Sequence, residues 1–447
     1  MRHILDLNQK VLVLEARLNQ NSQNSSKPPS SDEHKPKRKP GIPQEPKSRG
    51  GQKGHKGDTL KMVPSDQVEK VEPLKPERCA CGKRLLRQLM ELKSRRQVFD
   101  IPDPKLIVTE YQQYGCNCPN CGRLNTGQFP QEVSAPVQYG VGVQALVSIL
   151  NVKYHLGYQQ IEELFGDLFN QTINASTIQS ALVKANTCAE PIMEQIKSRL
   201  FESAVCHVDE TGIRINKGRH WLHVLCNEAY TFLYPHEKRG KEAFNEVMPE
   251  LKTYRGTLVH DCWSSYWSLV LVFHSLCNPH LLRELTAQIE QERSWADQMH
   301  KLLLRLYYEK YLRGLQISKK SPEWLEFEQI CQAAFEEEPP PVKNIRGKPK
   351  KTKGRNLAER LLKYQEEVLR FALEENIPFS NNQAERDLRQ IKGKQKVAGC
   401  FRTWEGASRY ARLASVFSSW RKQNYNVFLE LKGILAGKKF EFGMQTT

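Results

Sequence analysis

The chain has no run of about 18 apolar residues, which excludes a membrane-spanning helix. Its start is no more apolar: Met1–Lys10 carries Asp6 and Asn8 where a secretory leader needs its hydrophobic centre, so export is not expected. Acids are nearly missing from two stretches. Residues 34–57 set one acid against eight Lys/Arg, and residues 343–355 set none against seven. Each stretch carries a net +7 of the chain's +17, so the remainder is almost neutral. Cationic blocks without counter-charge suit a polyanion, because each cation that neutralises a phosphate releases a condensed counterion. Solvated, disordered linkers are the alternative for both.

What is present is ample for folding. The 447 residues are 39% apolar and 26% charged, enough for about two to four folding units. Of twelve cysteines, five fall in two tight groups, Cys79-x-Cys81 and Cys116-x-Cys118-x-x-Cys121. With no export signal expected, grouped cysteines argue for metal rather than disulfides. Zinc takes four soft or borderline ligands in a tetrahedron, and two close pairs supply them. Gly82 and Gly122 follow the pairs, where a tight knuckle needs a residue without Cβ. Cys79, Cys81, Cys118 and Cys121 are the favoured ligands, with Cys116 as an alternate. Free thiols are the competing reading.

Along the chain, Ile4, Leu7, Val11, Leu14 and Leu18 form an a/d seam, so residues 1–20 read as a short coiled coil or an amphipathic helix docked on its own protein. Residues 21–65 are a basic Ser/Asn/Pro/Gly-rich linker in which Lys35, Lys37, Arg38, Lys39, Lys53 and Lys56 are candidate phosphate contacts. Residues 66–130 hold the cysteine module. Residues 131–200 read as helices over Val143–Tyr154, Tyr158–Phe169 and Ser176–Thr187, either a helix-turn-helix or three packed helices without DNA contact. The pattern then changes to short runs of β-branched and aromatic residues: Ala204–Asp209, Thr211–Asn216, His220–Cys226, Thr231–Tyr234, Thr257–Asp261 and Val270–Cys277. Lys217-Gly218 is the expected hairpin turn, and Lys241–Met248 an intervening helix. Residues 201–280 are thus a mixed α/β sheet. Residues 281–375 read as helical, with helices at Leu281–Leu315, Pro322–Phe335 and Leu357–Phe371, interrupted by the basic loop 343–355 with Lys348, Lys350, Lys351 and Lys353. Pro378 stops the last of these, and residues 376–447 form the C-terminal region. The expected class is therefore a multidomain α+β / α/β protein.

Two carboxylates stand at expected strand ends, Asp209 in His207-Val208-Asp209-Glu210-Thr211 and Asp261 in Val259-His260-Asp261-Cys262-Trp263. Adjacent strands would bring them together, and their repulsion calls for a cation between them. Magnesium accepts few protein carboxylates and completes its shell with water and phosphate oxygens. Two such ions can clamp both oxygens of an in-line phosphoryl displacement. Glu385, in Ser380-Asn381-Asn382-Gln383-Ala384-Glu385-Arg386, is the third candidate; a capping-box role from Asn382 is the alternative. Arg386, Arg389, Lys392, Lys394 and Lys396 follow it as a cationic run suited to a phosphate backbone. Cys277-x-x-His280 falls after an expected strand, with His274 before it; the bare spacing suggests metal, but the sequence offers no further ligands for a second zinc site.

Taken in order, these pieces resemble the transposases of the bacterial insertion-sequence-sixty-six type, a DDE family with an RNase H-like catalytic domain. The resemblance is carried by Asn21-Ser22-Gln23-Asn24-Ser25-Ser26-Lys27-Pro28-Pro29-Ser30-Ser31-Asp32, Gly50-Gly51-Gln52-Lys53-Gly54-His55 and the cysteine region. It continues through Ala135-Pro136-Val137-Gln138-Tyr139-Gly140, Asp209-Glu210-Thr211, Lys238-Arg239-Gly240, His260-Asp261-Cys262-Trp263, the stretch from Leu276 to Leu285, and Asn381-Asn382-Gln383-Ala384-Glu385-Arg386. It implies that Asp209, Asp261 and Glu385 are a catalytic triad using Mg²⁺ or Mn²⁺, that residues 281–375 are a helical insertion between the second Asp and the Glu, that the cysteines hold structural Zn²⁺, and that Cys277 and His280 lie beside the active site. It also implies double-stranded DNA partners (element terminal inverted repeats and target DNA), a homo-oligomer, accessory proteins of the same element and a cytoplasmic, nucleoid-associated place of work. Trp295, in the insertion, is either a core residue or an aromatic that stacks on an extruded base. The rival functions are a zinc-containing DNA-binding protein without catalysis, and an RNase H-like nuclease without strand transfer.

Overall fold

The computed structural model describes residues 60–86, 90–130, 132–341 and 351–443. The expected coiled coil, Lys35, Lys37, Arg38, Lys39, Lys53, Lys56, Lys348 and Lys350 lie outside the described residues. The described chain falls into two compact units, 60–108 and 109–443.

In the smaller unit no described residue is buried, and regular structure is limited to a 3-10 turn at Ser65–Gln67 and a bridge between Arg78 and Arg84. The Gln97 side chain ties to the Val63 backbone at both ends, at 2.8 and 2.9 Å. A segment this small without an apolar core needs a staple such as a metal.

The larger unit opens with a two-stranded antiparallel hairpin, β1 (Gly115–Asn117) and β2 (Leu124–Thr126). Four helices follow, α1 (Val141–Val152), α2 (Tyr158–Phe169), α3 (Ala175–Cys188) and α4 (Glu190–Phe201). Their ends are written in the sequence. Left-handed Asn170 terminates α2, Asn174 caps α3 by accepting from the Thr177 N–H at 2.9 Å, and a proline sits in the first turn of α4. The sheet comprises β3 (Val205–Ile215), β4 (Gly218–Cys226), β5 (Thr231–His236), β6 (Thr257–His260) and β7 (Phe273–Leu276), with α5 (Lys241–Val247) between β5 and β6. Its spatial order is β5-β4-β3-β6-β7. The first three strands are antiparallel, while β6 and β7 run parallel to β3.

Two expectations change here. The runs Ala204–Asp209 and Thr211–Asn216 are one eleven-residue strand, so Asp209 lies within it rather than at its end. The hairpin turn is Asn216-Lys217, both at positive φ (45° and 65°), with Gly218 already opening β4. A two-residue loop with both φ positive matches the twist of the strands it joins.

After β7 come α6 (Asn278–Ile289), α7 (Ser294–Arg313), α8 (Pro322–Glu337), α9 (Lys353–Lys363) and α10 (Gln365–Leu373). The expected helix 281–315 is broken at left-handed Glu292, and 357–371 is broken at Tyr364. These helices gather their own core around Trp295, Leu303, Phe327 and Phe371. The chain then returns through α11 (Asn382–Ala398), α12 (Trp404–Lys422) and α13 (Val427–Leu435). Their buried side chains share one core with the sheet and with α1–α4, so residues 131–200 have no separate core.

Both sheet edges are covered. On β5, the N–H groups of Thr231 and Leu233 donate to Ser419 Oγ and Ser415 Oγ of α12 at 2.9 and 2.8 Å. On β7, the His274 carbonyl accepts from Arg370 Nε of α10 at 2.7 Å. Open strand edges invite pairing with other chains, and these contacts satisfy them internally. None of the described helices is long and apolar enough to cross a membrane.

The Lys422 ammonium at the end of α12 is nearly buried and reaches Asp387 Oδ2 of α11 at 2.6 Å and the carbonyls of Asn227 and Tyr230 at 2.8 and 3.1 Å. Thr231 Oγ1 donates to the same carboxylate oxygen at 2.8 Å. Removing one partner of a buried pair strands the other charge. Lys422→Met is expected to lower folding stability by about 3–5 kcal/mol, read by chemical denaturation; a change within error would show that the pair does not hold α11.

Candidate active site

β3 and β6 last pair at His207 and Val259, and two residues further on each strand stand Asp209 and Asp261. Beyond that row β3 continues only against β4, while β6 stops at His260. Parallel register therefore sets the two carboxylates side by side where the ladder opens, each half-buried. Each is oriented by the backbone after it: Asp209 Oδ1 accepts from the Glu210 N–H at 2.8 Å, and Asp261 Oδ1 from the Trp263 N–H at 3.0 Å.

Glu385 arrives from the first turn of α11, 124 residues after Asp261. Asn381, 2% exposed, fastens that turn to the sheet. Its Oδ1 pairs with His207 Nδ1 at 2.9 Å, its Nδ2 donates to the Val208 carbonyl at 2.8 Å, and its N–H donates to Cys277 Sγ at 3.2 Å. So the residue opening the Glu385 helix is bonded to the two residues preceding Asp209. Asn381 forms no side-chain cap on α11, and the capping-box alternative for Glu385 is not realised.

The electrostatics agree with this placement. The Asp209 carboxyl is pushed up to about 8, first by burial and then by Glu210, with Asp261 and Glu385 adding to the rise against the opposing Glu210 N–H. His280 is held below its usual range by burial and by Arg283, while the charges of Glu385 and Asp261 oppose that. Asp261 and Glu385 are thus both felt at Asp209 and at His280. Oxygen-only donors that repel one another are the set a hard divalent cation stabilises, and Asp209, Asp261 and Glu385 fit Mg²⁺ or Mn²⁺ on that ground.

A second acid was not singled out by sequence reasoning. The Glu210 side chain is 1% exposed, accepting from Arg239 Nε at 2.7 Å and from Tyr266 Oη at 2.5 Å. Burial pushes its carboxyl up, and these two donors pull against that. The Arg239 guanidinium lies over Trp221 at 4.9 Å and over Trp263 at 4.2 Å. Glu210 and Arg239 therefore brace β3 against the loop carrying Asp261. The signal was the Lys238-Arg239-Gly240 segment, but nothing local says where its cation goes.

The other candidate residues divide. Arg386, Arg389, Lys392 and Lys396 are exposed at spacings of 3, 3 and 4 along α11, one face of a helix. Lys394 does not join them: it is 8% exposed, donates to the Asn151 carbonyl at 3.2 Å, and burial lowers it to about 8. It falls on the inward face because two residues turn a helix by about 200°. Trp295 is fully buried in the insertion core, with Nε1 directed at Glu338, so it offers no face to a base. Lys351 pairs with Glu359 at 2.5 Å, and Lys353 is exposed at the start of α9. Cys277 caps α6, its thiol pushed up to about 12 by burial, and His280 stands in the first turn of that helix. On α3, Ile178, Ala181, Leu182 and Ala185 pack inward, leaving Gln179, Val183 and Lys184 exposed.

The cysteine knuckles are alike. In the smaller unit the Gly82 N–H donates to the Cys79 carbonyl at 2.8 Å and the Cys79 N–H to that of Lys83 at 2.9 Å. In the larger unit the Gly122 N–H donates to the Cys118 carbonyl at 2.8 Å and the Cys118 N–H to that of Arg123 at 2.9 Å. Gly82 and Gly122 both have positive φ, at 88° and 70°. Hydrogen bonds from Cys81 lower the Cys79 thiol, and those from Cys121 and Asn120 lower Cys118. Thiols made more acidic by backbone donors fit thiolate ligation of zinc. Cys116 lies in β1 opposite Asn125, outside either knuckle.

Asn381→Ala would leave the Val208 carbonyl and the His207 ring without their partners. We expect a stability loss of about 1–3 kcal/mol by chemical denaturation, with Asp387 and Lys422 still holding the middle of α11. A variant as stable as the parent would remove Asn381 as the anchor.

Comparison with known families gives three matches. Residues 136–409 match the model described as "Transposase IS66 family". Residues 76–122, with all five grouped cysteines, match "zinc-finger binding domain of transposase IS66", and residues 2–61 match a family of unknown function, DUF6444. Comparison with curated proteins returns no match. The first match covers well over half of the chain and takes in Asp209, Asp261 and Glu385 together with the sheet that carries them, so the chain belongs to the IS66 family of transposases.

Proposed function

We propose that this transposase is of the DDE type and that Asp209, Asp261 and Glu385 are its catalytic acids. The observation that supports the reading is the parallel register that sets Asp209 beside Asp261, together with the charges of Asp261 and Glu385, both felt at the Asp209 carboxyl. The order of three antiparallel strands followed by two parallel ones supports an RNase H-like sheet, with α6–α10 as an insertion between the second and third acids. Mg²⁺ or Mn²⁺, when held by these oxygens, would supply an activated nucleophile and neutralise charge developing at phosphorus.

The chain's own residues supply position. Glu210, Arg239 and Tyr266 brace the strand beneath Asp209, and Asn381 sets the depth of Glu385. The exposed Arg386, Arg389, Lys392 and Lys396 would neutralise backbone phosphates and align DNA along α11, with Lys353 and the basic loop adding charge. Cleavage and transfer are both in-line displacements, so one site serves both steps when water and then a 3′-hydroxyl is held in the same position. Zinc held by Cys79, Cys81, Cys118 and Cys121 would staple the coreless finger, with Cys116 as the alternate. The DNA partners in this reading are the element's terminal inverted repeats and the target. A homo-oligomer and accessory proteins of the same element complete it.

Asp209→Asn, Asp261→Asn and Glu385→Gln are each expected to lower Mg²⁺-dependent strand cleavage by about 100-fold or more while leaving DNA binding in place. Cleavage at the parental rate in any of them would remove that acid from the triad. Strand transfer from pre-cleaved ends separates a transposase from a nuclease that only cuts. For the cationic face, Arg389→Gln and Lys396→Gln should weaken binding evenly across sequences and reduce the slope of log K against log salt by about 1 each. An unchanged slope would place DNA elsewhere.

A further inference from the structure

Cys277 and His280 have no part in the phosphate chemistry proposed above, yet they stand at its edge. Cys277 is the residue preceding α6, His280 lies in the first turn of α6, and Glu385 lies in the first turn of α11. One donor atom from each, a sulfur, an imidazole nitrogen and a carboxylate oxygen, lies within 4.8 Å of the other two. This set differs in kind from the oxygen-only pair Asp209 and Asp261. Thiolate, imidazole and carboxylate together suit zinc rather than magnesium, and three protein ligands leave a fourth position for water.

A second observation concerns one of the same residues. His280 Nδ1 is shut off from solvent and has no hydrogen-bond partner among the described residues. A buried ring nitrogen left unpaired is costly, and an ion is one of the few things that satisfies it. Cys277 Sγ accepts from the Asn381 N–H at 3.2 Å, and the His280 N–H also acts on it. Two helix N-termini also converge here, and their partial positive charge favours thiolate and carboxylate.

We propose that Cys277, His280 and Glu385 form a binding site for a borderline divalent cation of the zinc class, and that its occupancy withdraws Glu385 from the hard-metal site and inhibits strand cleavage. On binding, the Cys277 S–H bond breaks, its proton passes to solvent and the sulfur lone pair enters the metal–sulfur bond; no electron is transferred. The inhibitory half rests on the catalytic role proposed for Glu385. The site itself does not.

The test uses the full chain with its finger zinc in place. Zinc per chain is measured by elemental analysis after saturation and gel filtration, for the parent and for Cys277→Ser, His280→Gln and Glu385→Gln. The parent is expected to retain one equivalent more than the variants, each of which should bind that ion about 10-fold or more weakly. Added zinc should raise the melting temperature of the parent above that of the finger-loaded protein and leave His280→Gln unmoved. Co²⁺, used as the probe, should give a thiolate charge-transfer band in the parent beyond that of the finger, lost in Cys277→Ser. If Cys277→Ser does not fold, the half-exposed His280 and Glu385 variants decide the matter. Equal zinc in the parent and in folded variants overturns the site. In a Mg²⁺-driven cleavage reaction, zinc should inhibit the parent and inhibit His280→Gln less. Zinc bound without loss of cleavage overturns the inhibitory half. A parent with no Mg²⁺-dependent cleavage at all fails the function proposed above, and the zinc count still judges the site.

Discussion

The site is organised by repulsion. Asp209, Asp261 and Glu385 come from three separate elements, and the Asp209 carboxyl is raised first by burial and then by Glu210, with Asp261 and Glu385 adding to the rise. Such an arrangement does not hold itself together. Every structural device around it works against that repulsion, and a polyvalent cation is the natural complement.

The devices are neutral or internally paired, which is why they do not disturb the charge balance of the site. Asn381 bonds the start of α11 to His207 and Val208 with amide groups, adding no charge beside Asp209. The one buried ion pair on α11, Asp387 with Lys422, faces β5 and α12, two residues beyond Glu385 and on another side of the helix. Arg239 could have neutralised an active acid, but Glu210 and two tryptophan faces occupy it. The helix carrying Glu385 is therefore tied to β3 at its start and to β5 and α12 further along, and its exposed face keeps four free-facing cations.

The finger region follows a different rule. No described residue from 60 to 108 is buried, so apolar burial cannot hold that unit. Its knuckle is ordered by the hydrogen bonds between Cys79, Gly82 and Lys83 with Gly82 at positive φ, and hydrogen bonds from Cys81 lower its Cys79 thiol. The larger unit, in contrast, has two apolar cores, one joining α1–α4, the sheet and α11–α13, the other built mainly by the insertion together with Leu276 of β7.

Much of the local structure was legible because it depends on neighbours in sequence. Strand runs, the helices of 140–200 and the cysteine knuckles follow from periodicity, caps and glycines. Local signals also misled where tertiary contact outweighed them. β3 runs through Asp209 because β4 pairs with it continuously from His207 to Ile215, and Lys394 is buried because helix phase, not composition, decides which cation faces solvent. Trp295 could be read either way until its neighbours closed over it. The sequence by itself determined which acids, cysteines and cations exist and what each can do chemically. Only the tertiary structure decided that the first turn of α11 is fastened to the residues preceding Asp209 through Asn381, and that donor atoms of Cys277 and His280 lie within reach of Glu385. These residues are far apart along the chain, and bringing them together depends on strand register and helix packing, which no local pattern encodes.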